Sequence, residues 1–289
     1  MTIFRRGNLE SVAWALRRLY CPVPENALVL EVGSGGNPYA RSNVLLDAYE
    51  ATRERHWAPL SADRPTVLGF AENLPFRDQS FDFVIAAHVL EHSAQPELFL
   101  SELQRVAKAG YIEVPDAFLE RVNPYRDHRL EVTSRNGTLV IQKKGNWVGD
   151  PSVVELYENR VKPRLTGNLV PKFPFDFHVR HYWEHTIAFR VINPEVDAGW
   201  PSPTSTSLEN PTPKGPEAGV RIRLRDLLRW AMSQRRRNAS IDVLHVLRCT
   251  ACHASDLKRR PADLQCMTCG TIYPVRNNIA AMNEGRLHE

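Results

Sequence analysis

Apolar residues along the chain fall into short β-branched runs that alternate with helical spacings, the pattern of an α/β fold. Residues 28–32, Leu-Val-Leu-Glu-Val, read as a strand buried on both faces of a parallel sheet, and Gly33, Gly35 and Gly36 stop it abruptly. Residues 43–47 read as a second strand that delivers Asp47 at its carboxyl end. A third strand begins at Thr66 and gives way to a turn at residues 71–73; a fourth lies in residues 80–92 and runs into a helix start. Residues 110–115 read as a fifth, closed by Pro115. Helical spacing is clear at Leu9, Val12, Ala13, Leu16 and Leu19, ended by Cys21-Pro22, and again at Leu98, Phe99, Leu103, Val106 and Ala107.

Downstream of Pro115 the alternation is less regular. Residues 126–132, 138–142 and 186–192 read as strands or strand edges, and two of them would complete an antiparallel end of the sheet. The aromatic, histidine-bearing stretch 173–185 either lines an acceptor pocket or forms a flap over the sheet. Residues 200–219 carry five prolines among Ser and Thr and read as a linker. Beyond it, Val220, Leu224, Leu227, Leu228 and Ala231 share one helical face among Arg221, Arg223, Arg225, Arg229 and Arg235 to Arg237. Such a basic helix either docks between domains or makes peripheral contact with an acidic membrane surface. The chain thus divides into a domain over 1–199, a linker over 200–219, the basic helix over 220–243 and a small domain over 244–289.

At 289 residues with 43% hydrophobic content, two packed domains are expected. No apolar run approaches the ~20 residues of a membrane span, and the first residues lack the apolar core of a signal peptide. A cytoplasmic location is the expectation. The net charge of +4 hides an asymmetry: from residue 220 onward there are 13 Lys and Arg against 6 Asp and Glu, a surplus of seven, and before it 24 against 27. The basic tail suits an acidic partner, nucleic acid included, or a solvated face.

The glycine turn is not a dinucleotide fingerprint, because Pro38 stands where the third glycine belongs, and no Gly-x-x-x-x-Gly-Lys-Ser/Thr is present. In an open α/β sheet a carboxylate placed as Asp47 is can accept both hydroxyls of a ribose. Glu31-Val-Gly-Ser-Gly-Gly36 resembles motif I of the class I S-adenosylmethionine-dependent methyltransferases. Ala71-Glu-Asn-Leu-Pro-Phe76, Ser80-Phe-Asp-Phe-Val-Ile85 and His88-Val-Leu-Glu-His92 resemble later blocks of the same class, type 11-like, in the same order. The resemblance implies a Rossmann-like, doubly wound, mostly parallel seven-stranded sheet. It also implies that Glu31, Gly33, Ser34 and Gly35 hold the methionine portion of S-adenosylmethionine and Asp47 its ribose. Relatives often carry Asp where Phe70 stands, so the adenine contact passes to Phe70, to Glu72 or to the backbone amide of Ala71. Ala87 and His88 would face the reacting centre. His88 and His128 are the candidate general bases, since imidazole titrates near neutral pH, while His92 reads as structural.

Cys249-Thr-Ala-Cys252 and Cys266-Met-Thr-Cys269 are separated by thirteen residues. Two such knuckles place four thiolates around one Zn²⁺, and a segment this small takes much of its folding energy from the metal. The wording around these cysteines is similar to the small zinc-ribbon family that activates tRNA and translation-factor methyltransferases; the resemblance implies a stabilising role for the ribbon. Three functions follow: a small-molecule or glycan methyltransferase with a built-in ribbon, an RNA methyltransferase gripping phosphate with its basic tail, and a non-catalytic cofactor-binding module. A homodimer is compatible with each.

Overall fold

The computed structural model describes residues 12–14, 16–52, 59–122, 125–147, 150–201, 227 and 233–286. Its centre is five parallel strands, β1 (Val29–Val32), β2 (Val44–Asp47), β3 (Thr66–Leu68), β4 (Phe83–Ala87) and β5 (Ala109–Pro115), in the order β3-β2-β1-β4-β5. The first four are buried along their whole length, which is why they read as apolar runs. From β1 the chain passes to β2 on one side and later fills the other side with β4. That reversal opens a crevice beyond the carboxyl ends of β1 and β4, where an open α/β sheet takes its ligand. Helix α1 (Pro96–Val106) buries Phe99, Leu100, Leu103 and Val106 in the same apolar cluster as Leu30, Val32, Val84 and Ala86. Pro96 sits in its first turn, where a missing N–H costs nothing.

Past β5 the expected finish of the sheet is corrected. Strands β6 (Leu130–Arg135) and β7 (Thr138–Lys143) form a hairpin, β8 (His178–Glu184) returns antiparallel to β5, and β9 (Phe189–Val191) lies parallel to β7. Strands β6, β7 and β9 therefore make a separate three-stranded sheet. The hairpin closes on itself because Asn136 and Gly137 both take positive φ, 51° and 77°, and so pair Arg135 with Thr138 across a two-residue turn. The sheet edge is taken instead by β8, from the aromatic stretch: Val179, His181 and Trp183 are buried, while Arg180 and Glu184 face outward. A helix over 151–172 mixes α-turns with π-turns at Tyr157–Val161 and Leu165–Leu169. Each π-turn ends two residues before a proline, Pro163 or Pro171, that supplies no N–H.

The C-terminal segment extends the main sheet rather than standing apart. Strands β10 (Leu257–Arg259), β11 (Asp263–Cys266), β12 (Ile272–Arg276) and β13 (Ile279–Ala281) form an antiparallel meander, and β13 pairs parallel with β3 through Ala280↔Val67 and Ala281↔Leu68. Ten strands result, in the order β10-β11-β12-β13-β3-β2-β1-β4-β5-β8, in place of seven. The cause is that β3 would otherwise present an unpaired edge, which the buried Ile-Ala-Ala of β13 covers.

Most of the linker, half of the basic segment over 220–243 and residues 9–11 and 15 of the expected first helix lie outside the described residues; of that first helix, residues 12–14 are helical and 16–17 form a turn. The part of the basic segment that is described docks on the protein. Within a short helix over Arg235–Ala239, Asn238 Oδ1 accepts from Asn43 Nδ2 at 2.8 Å, and Arg237 donates to the carbonyls of Glu25, Asn26 and Ala27. No helix among the described residues is long and apolar enough to cross a membrane.

Candidate functional site

Gly33 closes β1 with φ +70°, and Gly35 follows with φ +56°. A Cβ on Gly33 would stand 2.7 Å from the Cβ of Val89, so the turn and the chain beyond β4 approach as only glycine allows. The N–H groups of Gly33 and Ser34 donate to the carbonyl of Leu46, and Gly35 N–H donates to Asp47 Oδ2 at 2.9 Å. Turn and carboxylate are thereby fastened together. A cavity of about 440 Å³ opens beyond them, and Gly33, Gly35, Asp47, Phe70, Ala71, Glu72 and His88 lie on its wall.

The other three residues expected to contact a cofactor lie off that wall. Glu31 is buried beneath the turn, where it accepts from Tyr39 N–H at 2.8 Å and from the Ser42 hydroxyl at 2.7 Å, with Arg17 at 3.6 Å. Burial pushes its carboxyl up against the pull of Arg17 and Ser42. Its place is that of a brace under the glycines. Ser34 Oγ is buried with no hydrogen-bond partner among the described residues, and Ala87 is the buried last residue of β4.

Among the wall residues that escaped the sequence reading, Tyr49 stands out. Tyr49 packs edge-on against Phe70, with ring centroids 5.9 Å apart at 72°, and both rings are about half exposed to the cavity. Together they offer the flat apolar surface that a purine needs, with Ala71 beside them. The only signal was position, two residues past Asp47. Glu72, in the same turn, accepts from the Ser93 hydroxyl at 2.5 Å.

His88 stands at the strand end with φ +58°, a strained backbone for a side chain with a Cβ. Its Nε2 lies 3.1 Å from Glu113 Oε1 and its Nδ1 3.6 Å from Glu91 Oε1. Loss of solvation opposes a charge on His88, but the two carboxylates outweigh it and push its pKa up to about 9. Burial likewise opposes charge on Glu91 and Glu113, yet His88 heads the interactions that hold both near 2. Tyr111 OH donates to the second oxygen of Glu113, and Arg180 Nε lies 3.1 Å from that phenol oxygen. The two carboxylates thus favour the protonated form of His88. His128 lies behind the wall: its Nδ1 is 2.6 Å from Glu120 Oε2, and its ring meets His92 edge-on at 4.8 Å. His92 itself lines the cavity.

Residues 30–112 match the family described as a methyltransferase domain. The chain is 28% identical over 81 residues to an uncharacterised protein of Methanocaldococcus jannaschii, a match covering 28% of this chain and 40% of that protein's length. Among solved structures it is similar to a SAM-dependent methyltransferase of Thermotoga maritima, at 25% identity and TM-score 0.30, covering 38% of this chain and 55% of that one. It is also similar to a chain of the complex containing the Haloferax volcanii Trm112 methyltransferase activator, at 21% identity and TM-score 0.30, covering 44% of this chain and 70% of that one. The methyltransferase-domain match spans β1 to β5 up to Ile112, and the cavity lies at its switch point.

On the C-terminal side of the matched region, the four cysteines of the tail converge. Cys249 Sγ is 3.6 Å from Cys269 Sγ, Cys252 Sγ is 3.5 Å from Cys266 Sγ, and all four lie within 4.8 Å of one another. One tetrahedral Zn²⁺ with Zn–S bonds of ~2.3 Å sets its sulfurs about 3.8 Å apart, so the donor set fits that ion. Tyr273 OH lies 3.0 Å from Cys249 Sγ, a second layer of support for the donor. The C-terminal segment also holds the chain beside the cavity. Asn73 Nδ2 donates to Thr250 O at 3.1 Å, Arg77 donates to Leu247 O and Ser255 O, and Met282 N–H donates to Leu68 O.

Proposed function

We propose that the chain is an S-adenosylmethionine-dependent methyltransferase acting on a small molecule or glycan, with a zinc ribbon that braces the cofactor cleft. The observation that carries this reading is the union, in one cavity at the switch point, of the Gly33–Gly35 turn with the carboxylate of Asp47. The cofactor supplies a methyl group on a sulfonium, open to in-line displacement by an acceptor atom. Gly33 and Gly35 let the backbone approach its methionine portion. Asp47 accepts from ribose hydroxyls; a carboxylate has lone pairs to spare beyond the Gly35 N–H. Tyr49 and Phe70 flank the adenine. His88 offsets one of the two negative charges of Glu91 and Glu113 at the cleft floor, and the fixed net negative charge that remains suits a cationic sulfonium.

Zn²⁺ at Cys249, Cys252, Cys266 and Cys269 is structural in this reading, since all four positions are filled by thiolates. Small acceptors are favoured over RNA because part of the basic surplus of the tail is spent inside the chain. Arg237 is committed to three carbonyls, and Arg248 donates to Glu102 at 3.3 Å. Incubating the zinc-loaded protein with methyl-labelled cofactor and separate pools of metabolites, oligosaccharides and RNA tests the reading. Label entering the metabolite or oligosaccharide pool supports it; label entering RNA alone replaces it.

A further inference from the structure

We propose that Glu91, His92 and His128 bind a divalent transition-metal cation at the acceptor end of the cleft, distinct from the ribbon's thiolate site. One ring nitrogen from each imidazole and one carboxylate oxygen of Glu91 lie within 4.8 Å of one another. The Glu91 side chain is 3% exposed, and its Oε2 is buried with no hydrogen-bond partner among the described residues. Buried carboxylate oxygens rarely stand so, and a cation answers the deficit.

Both imidazoles are oriented as metal ligands are. His92 Nδ1 lies 3.2 Å from the carbonyl of Asp127, which can only accept, so that nitrogen donates and the ring is held in place by the backbone. His128 Nδ1 donates in the same way to Glu120 Oε2 at 2.6 Å, and Lys144 Nζ fixes the other oxygen of Glu120 at 2.6 Å. A carboxylate behind a histidine is the usual outer support of a ligating imidazole. Two imidazoles and one carboxylate select a first-row transition dication over Mg²⁺ or Ca²⁺. Bonds of ~2.1 Å bring such donors to about 3–3.5 Å apart, so the three side chains close by about an ångström on binding.

Three protein ligands leave coordination positions open. His92 and Arg129 line the cavity, so an acceptor oxygen or nitrogen there reaches the ion and gives up its proton more readily. The acceptor role rests on the methyltransferase reading; binding of the ion does not.

The test is calorimetric titration of the zinc-loaded full chain with Co²⁺, with cobalt and zinc quantified on the same sample. The expected result is one Co²⁺ per chain beyond the ribbon's zinc, without a thiolate-to-cobalt absorption band. Affinity should fall at least tenfold in Glu91→Gln and in His128→Gln, each checked for retained zinc and an unchanged thermal unfolding profile. If one variant misfolds, the other decides. Absence of Co²⁺ binding by the wild-type chain, or equal binding by a folded variant, overturns the site. A parallel titration with S-adenosylhomocysteine separates the two readings: Co²⁺ binding without cofactor binding keeps the ion site and overturns its acceptor role.

Discussion

Asn283 donates its side-chain amide to the carbonyl of Ala48 across 2.7 Å, and Ala48 follows Asp47 directly. The chain just past β13, the strand paired with β3, is therefore tied to the residue next to the carboxylate assigned to the ribose. Replacing Asn283 with Ala removes one hydrogen bond with a net worth of about 0.5–1.5 kcal/mol. The expected outcome is a cofactor affinity weaker by roughly two- to tenfold with zinc content unchanged, read by calorimetry; loss of zinc instead would place the effect in the ribbon's own fold.

Metal removal should reach further. The short strands β10 to β13 are tied together at four convergent cysteines, so chelation is expected to unfold the segment and expose the edge of β3. Cys266→Ser should do the same. Zinc release, loss of Tyr273 protection in hydrogen exchange and a fall in cofactor affinity are expected together; a ribbon that stays folded without metal would contradict the structural role of the site.

The His88 cluster sets a pH window for stability. With its pKa raised from 6.5 to about 9, the contribution of His88 is complete below about pH 6.5 and is lost as pH rises through 9. Glu91 and Glu113 are lowered from 4.5 to about 2, so theirs is present above about pH 4.5 and is lost as pH falls through 2. Urea unfolding across pH should show an alkaline decline that flattens in His88→Gln. An unchanged alkaline limb would mean that the imidazole is not held charged.

Gly33→Ala forces a Cβ to 2.7 Å from Val89 at a residue with φ +70°. A destabilisation of about 1–3 kcal/mol is expected from strain and overpacking, together with a cofactor affinity too weak to measure. Wild-type stability in this variant would show that the turn has room to shift.

The centre of the fold was legible because β1, β2 and β4 are buried on both faces and so carry their burial in composition. Gly33, Asp47 and the paired cysteines were legible for a related reason: their spacing alone brings them to a turn, a strand end and one cluster of thiols. The charge on His88 was not, because Glu113 arrives from β5, 25 residues away. Nor was the edge strand β8, whose His-Val-Arg-His-Tyr-Trp-Glu alternation hides one apolar face among polar residues. The pairing of β13 with β3 is a tertiary event between two three-residue strands, and neither carries a partner's address in its own residues. Glu31 shows the opposite failure: its residue type suited a ligand contact, but packing turned it toward Tyr39 and Ser42.

The central claim is that the cavity at the ends of β1, β2 and β4 is a cofactor site built on Asp47. Calorimetric titration of the zinc-loaded chain with S-adenosylmethionine and S-adenosylhomocysteine, beside Asp47→Ala, tests it most directly. One cofactor per chain is expected, with affinity falling roughly ten- to a hundredfold in the variant as charge-assisted hydrogen bonds worth about 1.5–3 kcal/mol are lost. No binding by the folded, zinc-loaded wild type, or equal affinity in Asp47→Ala, would contradict it.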